Sequence, residues 1–190
     1  DDEAQQSFIL PDFVKKMMEN KWLGSKSGQG FYKKEGKNIR VLDLSTLEYR
    51  DKKPAKFETL ELTKSIDNVI DRFKVLIDGK DKAAEFYRKN FAAMFAYVSH
   101  RIPEICDELY KIDDAMKAGF GWEHGPFQIW DAVGIERGLA LLKTEGLEPA
   151  QWVLDMLTCG NDSFYSVQNG ANHSYDVQSK KQLRIPGQES

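Results

Sequence analysis

The chain has 190 residues, 41% apolar and 30% charged, and its 27 Lys and Arg against 30 Asp and Glu leave a net charge of −3. That length supports one good core or two small ones. The slightly acidic balance excludes nucleic acid as the main partner, because a phosphate backbone needs a clustered basic face. No run approaches the roughly 18 apolar residues of a membrane span, and no basic-then-apolar leader is present. The two cysteines, Cys106 and Cys159, have neither a CxxC spacing nor a nearby histidine. Neither a disulfide framework nor a zinc site is expected, and buried thiols in a reducing, cytoplasmic compartment fit better.

In chain order, LPDFVKKMMENKWLG places Phe13, Val14, Met17, Met18 and Trp22 on one helical face, with Pro11 at its start and Gly24 as its C-cap. Turn signals at Gly28, Gly30, Gly36 and Asn38 then alternate with β-type runs at Phe31–Tyr32 and Ile39–Leu44, which predicts a hairpin. Asp51 to Glu58 reads as a polar linker. Ile66, Val69, Ile70, Phe73, Leu76 and Ile77 recur at helical spacing and predict one helix, capped by Thr63 or Ser65 and closed by Gly79. A second helix, near Asp81 to Ser99, carries Ala84, Tyr87, Phe91, Met94, Phe95 and Val98; Pro103 is expected to start a third, with Ile105, Cys106, Leu109 and Ile112 inward. Three short helices (PFQIWDAVG, ERGLALLKTEG and EPAQWVLDML) and a second hairpin-like tail follow.

The stretch GFGWEHGPFQIWDAVG sets glycines and a proline among large aromatics. Gly119 and Gly121 end one helix and let the backbone turn, Gly125 continues the turn, and Pro126 opens the next helix with φ already set. Phe120, Trp122, Phe127 and Trp130 are expected to fill the space between helices, and Asp131 to bond the backbone or Arg101. The segment reads as a structural corner whose function is indirect, shaping the wall of a cleft or a dimer face.

The two hairpins answer each other. FYKKEGKNIRVLD and FYSVQNGANHSYD share Phe-Tyr and Asp at an offset of 133 residues, each has a mid-turn glycine, slipped by one position, and each follows an amphipathic helix ending in glycine. The chain therefore holds a duplicated helix–turn–hairpin unit. Only the second copy has an upstream half, Ser99 to Gly146, so the chain is expected to begin inside a repeat. The organisation read is 1–50 as the end of a first helical repeat plus hairpin, 51–62 as linker, and 63–190 as a second helical repeat plus hairpin tail. The fold class is mainly α, a tandem-repeat helical domain with small β-hairpins.

The pattern Arg101-Ile-Pro103, Ile112-Asp113-x-Ala-Met116, Gly119-x-Gly121, Gly125-Pro126-Phe127 and Asp131-x-x-Gly134 resembles the second C-terminal repeat of NAD-dependent 3-hydroxyacyl-CoA dehydrogenases. LGSKSGQGFY resembles the end of their first repeat, and YDVQSKKQLRIPGQES resembles the join to an enoyl-CoA hydratase of the crotonase type. The resemblance implies a parent enzyme that oxidises (S)-3-hydroxyacyl-CoA to 3-oxoacyl-CoA with NAD in fatty-acid β-oxidation, as a homo-oligomer, with acyl-CoA as substrate. In that family NAD and a catalytic His–Glu pair belong to a nucleotide-binding domain preceding the helical repeats. No G-x-G-x-x-G follows a strand here, so no catalytic, cofactor-binding or metal residue is assigned and the chain alone is expected to be inactive. The family's Asn-Arg near the substrate is matched in the second repeat by His100-Arg101, a departure that carries no Asn role over.

On the substrate side, Lys26, Ser27, Gly28 and Gly30 form a basic glycine-bearing loop that either holds a CoA phosphate on its amides or packs closely on a neighbouring element. His100 and Glu104, four apart, form either a dyad or a capping or surface pair. His100, His124 and His173 share no ligand spacing. The competing functional class is a self-standing helical interaction module without dehydrogenase activity.

Overall fold

In a computed structural model the described residues run from Ala4 to Gly187, and the chain divides into two compact units, Asp1–Ala55 and Lys56–Ser190. The first unit comprises α1 (Asp12–Glu19) and an antiparallel sheet of β1 (Tyr32–Glu35), β2 (Asn38–Leu42) and β3 (Tyr49–Asp51). The second comprises α2 (Glu58–Thr63), α3 (Val69–Asp78), α4 (Lys82–His100), α5 (Leu109–Phe120), α6 (Pro126–Val133), α7 (Ile135–Thr144), α8 (Gln151–Thr158) and a sheet of β4 (Tyr165–Gln168), β5 (Ala171–Asp176) and β6 (Lys181–Arg184). The protein is mainly α with small antiparallel sheets, as the periodicity predicts.

The duplication is a structural repeat. Tyr32 pairs with Val41 and Glu35 with Asn38, while Tyr165 pairs with Ser174 and Gln168 with Ala171, all displaced by 133 residues. The expected hairpins each gain a third strand in the same register: Leu42 pairs with Tyr49, and Tyr175 with Gln182. The slipped glycine has a simple cause. The two-residue loops are Gly36-Lys37 and Asn169-Gly170, and such loops accept glycine first or Asn-Gly. Between helix and sheet the copies diverge. Eleven residues separate Glu19 from Phe31 and five separate Thr158 from Phe164, so the Lys26 loop has no counterpart in the second copy.

Four expectations are corrected. The predicted single helix is two: α2 occupies residues expected to be linker, and α3 starts only at Val69, where the Asn68 side chain accepts from the Ile70 N–H. Thr63 and Ser65 instead donate to carbonyls behind them, those of Leu60 and Leu62. The third helix begins at Leu109, not Pro103. The Ile105 N–H closes one turn onto the Arg101 carbonyl, and Glu108 then bridges to Asp176 of β5, so strand-like pairing takes the backbone that a helix would have used. In the first unit α1 is capped at Asn20, and Gly24 instead opens the following turn with φ 107°. Cys159 is exposed and Cys106 only partly buried.

The core of the second unit is an aromatic column. Phe91 stacks on Phe95 at 5.8 Å, Phe95 on Trp130 at 4.7 Å, and Phe164 meets Trp130, Phe127 and Trp152 edge-on at 5.2, 5.1 and 5.7 Å. Ser99, fully buried near the end of α4, accepts from the Ala150 N–H and donates to the Ala96 carbonyl, while the Trp152 indole donates to the Ser99 carbonyl. These bonds tie α8 to α4. The Asp81 carboxylate caps two helices at once, accepting from Ala84 of α4 and Thr59 of α2, and these bonds hold it below the usual carboxylate range.

Candidate functional site

The sequence-predicted residues fall in separate places. In the first unit the Ser27 hydroxyl accepts from the Leu23 N–H and donates towards the carbonyls of Gly24 and Gln29. The amides of Gly24, Ser27, Gly28 and Gly30 donate to Gln29, Gly24, Ser25 and Tyr32. Gly30 lies so close to Gly24 that a Cβ there would sit 2.8 Å from the Gly24 Cα. These amides are spent on folding the loop, and Lys26 is exposed on its short 3-10 turn.

In the second unit His100 ends α4 with its Nε2 3.3 Å from the Glu148 carbonyl oxygen. Glu104 pairs with Arg101 at 2.7 Å. Among the described residues no group of three His, Cys, Asp or Glu gathers as a metal site.

The corner Gly119–Gly134 carries the half-buried Asp131 and packs against the buried Asp113. Gly121 ends α5 in the left-handed region at φ 66°, and Pro126 opens α6. Phe127 and Trp130 are fully buried, but Phe120 is 73% exposed and Trp122 half-buried, so only two of the four expected aromatics fill the core. Asp131 bonds backbone, not Arg101: its carboxylate accepts from the Phe164 and Tyr165 amides, both at 2.8 Å, and fixes the start of β4.

A second carboxylate completes the arrangement. Asp113, 1% exposed on α5, accepts from the Phe127 and Gln128 amides at the start of α6 and from the Tyr165 hydroxyl at 2.7 Å. The helix N-terminus supplies the donors that an anion meets there. These groups adjoin a cleft of about 550 Å³ lined among others by His124, Gln128, Asp131, Tyr165, Asn172 and His173. Burial pushes Asp113 up to about 6 and Asp131 to about 7, against the hydrogen bonds that lower both; it also drives the Tyr165 phenol far above its usual range. Asp113 was not singled out from sequence, yet it was visible there: it lies four residues after Leu109, on that residue's apolar face.

The titration has a definite sign. Both carboxyls hold their protons more tightly when folded than when unfolded, so their contribution is present at low pH and is lost as pH rises from about 4 through 7. The unfolding free energy of the second unit is expected to fall by on the order of 1–3 kcal/mol between about pH 5 and pH 8. Denaturant melts across that range check this: Asp131→Asn should flatten the slope, and a wild-type midpoint independent of pH would refute it.

What the geometry defines, then, is a helical domain that carries a small antiparallel sheet and locks it in place with two carboxylates, Asp113 buried and Asp131 half-buried. Residues 86–161 match the family of the 3-hydroxyacyl-CoA dehydrogenase, C-terminal domain. The chain is 39% identical over 176 residues, 93% of its length, to the "Probable 3-hydroxyacyl-CoA dehydrogenase" of Bacillus subtilis, and covers 22% of that protein. It is 24% identical to two Rickettsia proteins named as fatty acid oxidation complex trifunctional enzymes. The matches span 132 residues in R. felis and 145 in R. prowazekii, or 67% and 74% of this chain and 17% and 18% of those proteins. No solved structure gives a significant match. Residues 86–161 thus carry a C-terminal domain of the 3-hydroxyacyl-CoA dehydrogenase kind, and most of the chain is similar to a segment of such a protein. It spans about a fifth of the length of the curated relatives it matches. Among the described residues no helix is long and apolar enough to cross a membrane.

Proposed function

We propose that the chain is the C-terminal substrate-side and dimerisation portion of an enzyme that oxidises (S)-3-hydroxyacyl-CoA to 3-oxoacyl-CoA with NAD in the cytoplasmic β-oxidation of fatty acids. The observation that carries this reading is the identity to the Bacillus dehydrogenase along nearly the whole chain, across both units and both sheets. NAD, and the His–Glu pair that takes the hydroxyl proton, belong to a separate nucleotide-binding domain; a crotonase domain is a further partner, in line with the trifunctional relatives. The first unit is read as the end of a first repeat and the second unit as a complete second repeat. The second repeat's share is mechanical: a rigid helical body whose α5–α6 corner stays fixed while acyl-CoA and cofactor meet elsewhere. Lys26 is the group best placed in the first unit for a CoA phosphate, as a point charge on an exposed loop.

The test is a graft. Replacing the matching 176 residues of the Bacillus protein with this chain should preserve NADH formation from 3-hydroxybutyryl-CoA, and deleting them should abolish it. The isolated chain should produce none; turnover by the chain alone would overturn the reading. Activity retained after deletion, with this chain binding unrelated proteins, would favour the interaction module.

A further inference from the structure

We propose that the face of the first unit formed by α1 and the start of β1 docks an aspartate-bearing helix of the α6 kind, whose carboxylate accepts from the Phe31 and Tyr32 amides. The second unit supplies the pattern. There the Phe164 and Tyr165 amides both donate to Asp131, and Phe127 and Trp130 of the same helix set their rings on Phe164 at 5.1 and 5.2 Å. Phe31 and Tyr32 stand at the same places in the first sheet, offset by 133 residues. The Tyr175 amide donates to the Phe164 carbonyl at 2.8 Å, and the Leu42 amide to that of Phe31 at 2.9 Å; in neither sheet is the return bond made. Tyr32 and Tyr165 face Val41 and Ser174, at positions where a two-residue hairpin exchanges no ladder bonds. Among the described residues the Phe31 and Tyr32 amides therefore have no acceptor.

The helices agree as well. α1 and α8 each have eight residues and follow an extended residue, Pro11 or Ala150. The ring at the second position of each meets the phenylalanine edge-on, Phe13 on Phe31 at 6.4 Å and Trp152 on Phe164 at 5.7 Å. What differs is cover. Phe164 and Val153 are fully buried, whereas Phe31 and Met18 are 49% and 54% exposed and Val14 is half-buried. The hollow walled by Val14, Met18, Trp22 and Phe31 holds about 180 Å³, below the range of small-molecule sites, so it suits an inserted side chain. Two adjacent amides beside apolar surface favour a carboxylate over a neutral acceptor, because charge-assisted bonds are the stronger. The partner thus needs an aspartate with large apolar side chains one and four residues before it, as Trp130 and Phe127 precede Asp131. That this helix belongs to the parent enzyme outside these 190 residues rests on the function proposed above; its chemistry rests on the repeat alone.

The experiment titrates the isotope-labelled full chain with a peptide of residues 125–134, GPFQIWDAVG, stapled as a helix through Gln128 and Ala132. In the free chain the Phe31 and Tyr32 amides should exchange with solvent at least about a hundredfold faster than those of Phe164 and Tyr165. The peptide should slow them at least about tenfold and move both amide resonances downfield. Its Asp131→Asn version should bind at least about tenfold more weakly, since it keeps the shape and loses the charge, and so should its Phe127→Ala version. Met18→Lys in the chain should weaken binding at least about tenfold with an unchanged melting temperature. Phe31 and Tyr32 amides already protected in the free chain, no binding of the stapled peptide, equal binding of the Asn version, or resonance shifts confined to the second unit would each overturn the proposal. Protection that fades on dilution would give the face to a second copy of the chain and overturn it too. No readout here turns on catalysis, so an inactive graft leaves this proposal standing, and a failed titration leaves the graft test as it was.

Discussion

Phe164→Ala is expected to lower the unfolding free energy of the second unit by about 3–5 kcal/mol, while its repeat counterpart Phe31→Ala costs the first unit about 1 kcal/mol or less. The contrast follows from one duplicated position in two environments. Phe164 is fully buried, with its ring against Phe127, Trp130 and Trp152 at 5.1–5.7 Å, and its amide is held by Asp131. Phe31 is 49% exposed and touches the Phe13 ring at 6.4 Å. Truncating Phe164 leaves a cavity walled by rigid rings that cannot collapse into it. Denaturant melts followed by Trp130 and Trp152 report the second unit, and Trp22 reports the first. Equal losses at the two positions would show that the repeats are alike in packing as well as register.

The duplication shows how far sequence reading reaches. The offset of 133 residues between Phe31–Asp43 and Phe164–Asp176 foretells the register of both hairpins, because side-chain alternation and the two-residue loop leave one pairing open. It does not foretell β3 and β6. β3 is only three residues long and largely half-buried, and β6 is short and mostly exposed, so neither carries an apolar alternation to detect. The break between α2 and α3 is hidden for another reason. Apolar spacing continues through Ile66, but Asn68 offers its side chain to the Ile70 amide and starts a new helix there.

The pair of carboxylates, buried Asp113 and half-buried Asp131, is half legible in the sequence. Asp131 stands in a string of glycines, proline and aromatics that marks it as special, and its bonding to backbone was one of two outcomes foreseen. The donors to Asp131 lie 33 and 34 residues away, and those to Asp113 lie 14, 15 and 52 away; no local pattern encodes such distances. The carboxylate on the apolar face of α5 was the available signal, since an aspartate there must find donors. Phe120 and Trp122 misled in the opposite direction. Aromatic character alone placed them inside, but Gly121 turns the chain away from the core between them.

Gly125→Ala is expected to unfold a substantial fraction of the second unit, at a cost on the order of 3–6 kcal/mol. Backbone conformation is not the reason, because φ −79° and ψ 170° suit alanine. The reason is contact. A Cβ at Gly125 would lie 2.3 Å from the Asp113 Cβ and 2.4 Å from its Cα, so α5 and α6 would have to separate. Separation draws the Asp113 carboxylate away from the Phe127 and Gln128 amides, which it meets at 2.9 and 3.0 Å, and strains its bond to Tyr165. One methyl group thus costs packing and three charge-assisted hydrogen bonds together, and leaves a carboxylate in a dry place without its donors. Gly119→Ala supplies the comparison: nothing lies within 4 Å of a Cβ there, and it should gain up to about 1 kcal/mol from helix propensity. Thermal melts of the two variants should move in opposite directions. A Gly125→Ala protein as stable as the parent would mean that the corner yields easily, and that the carboxylate lock is weaker than its geometry indicates.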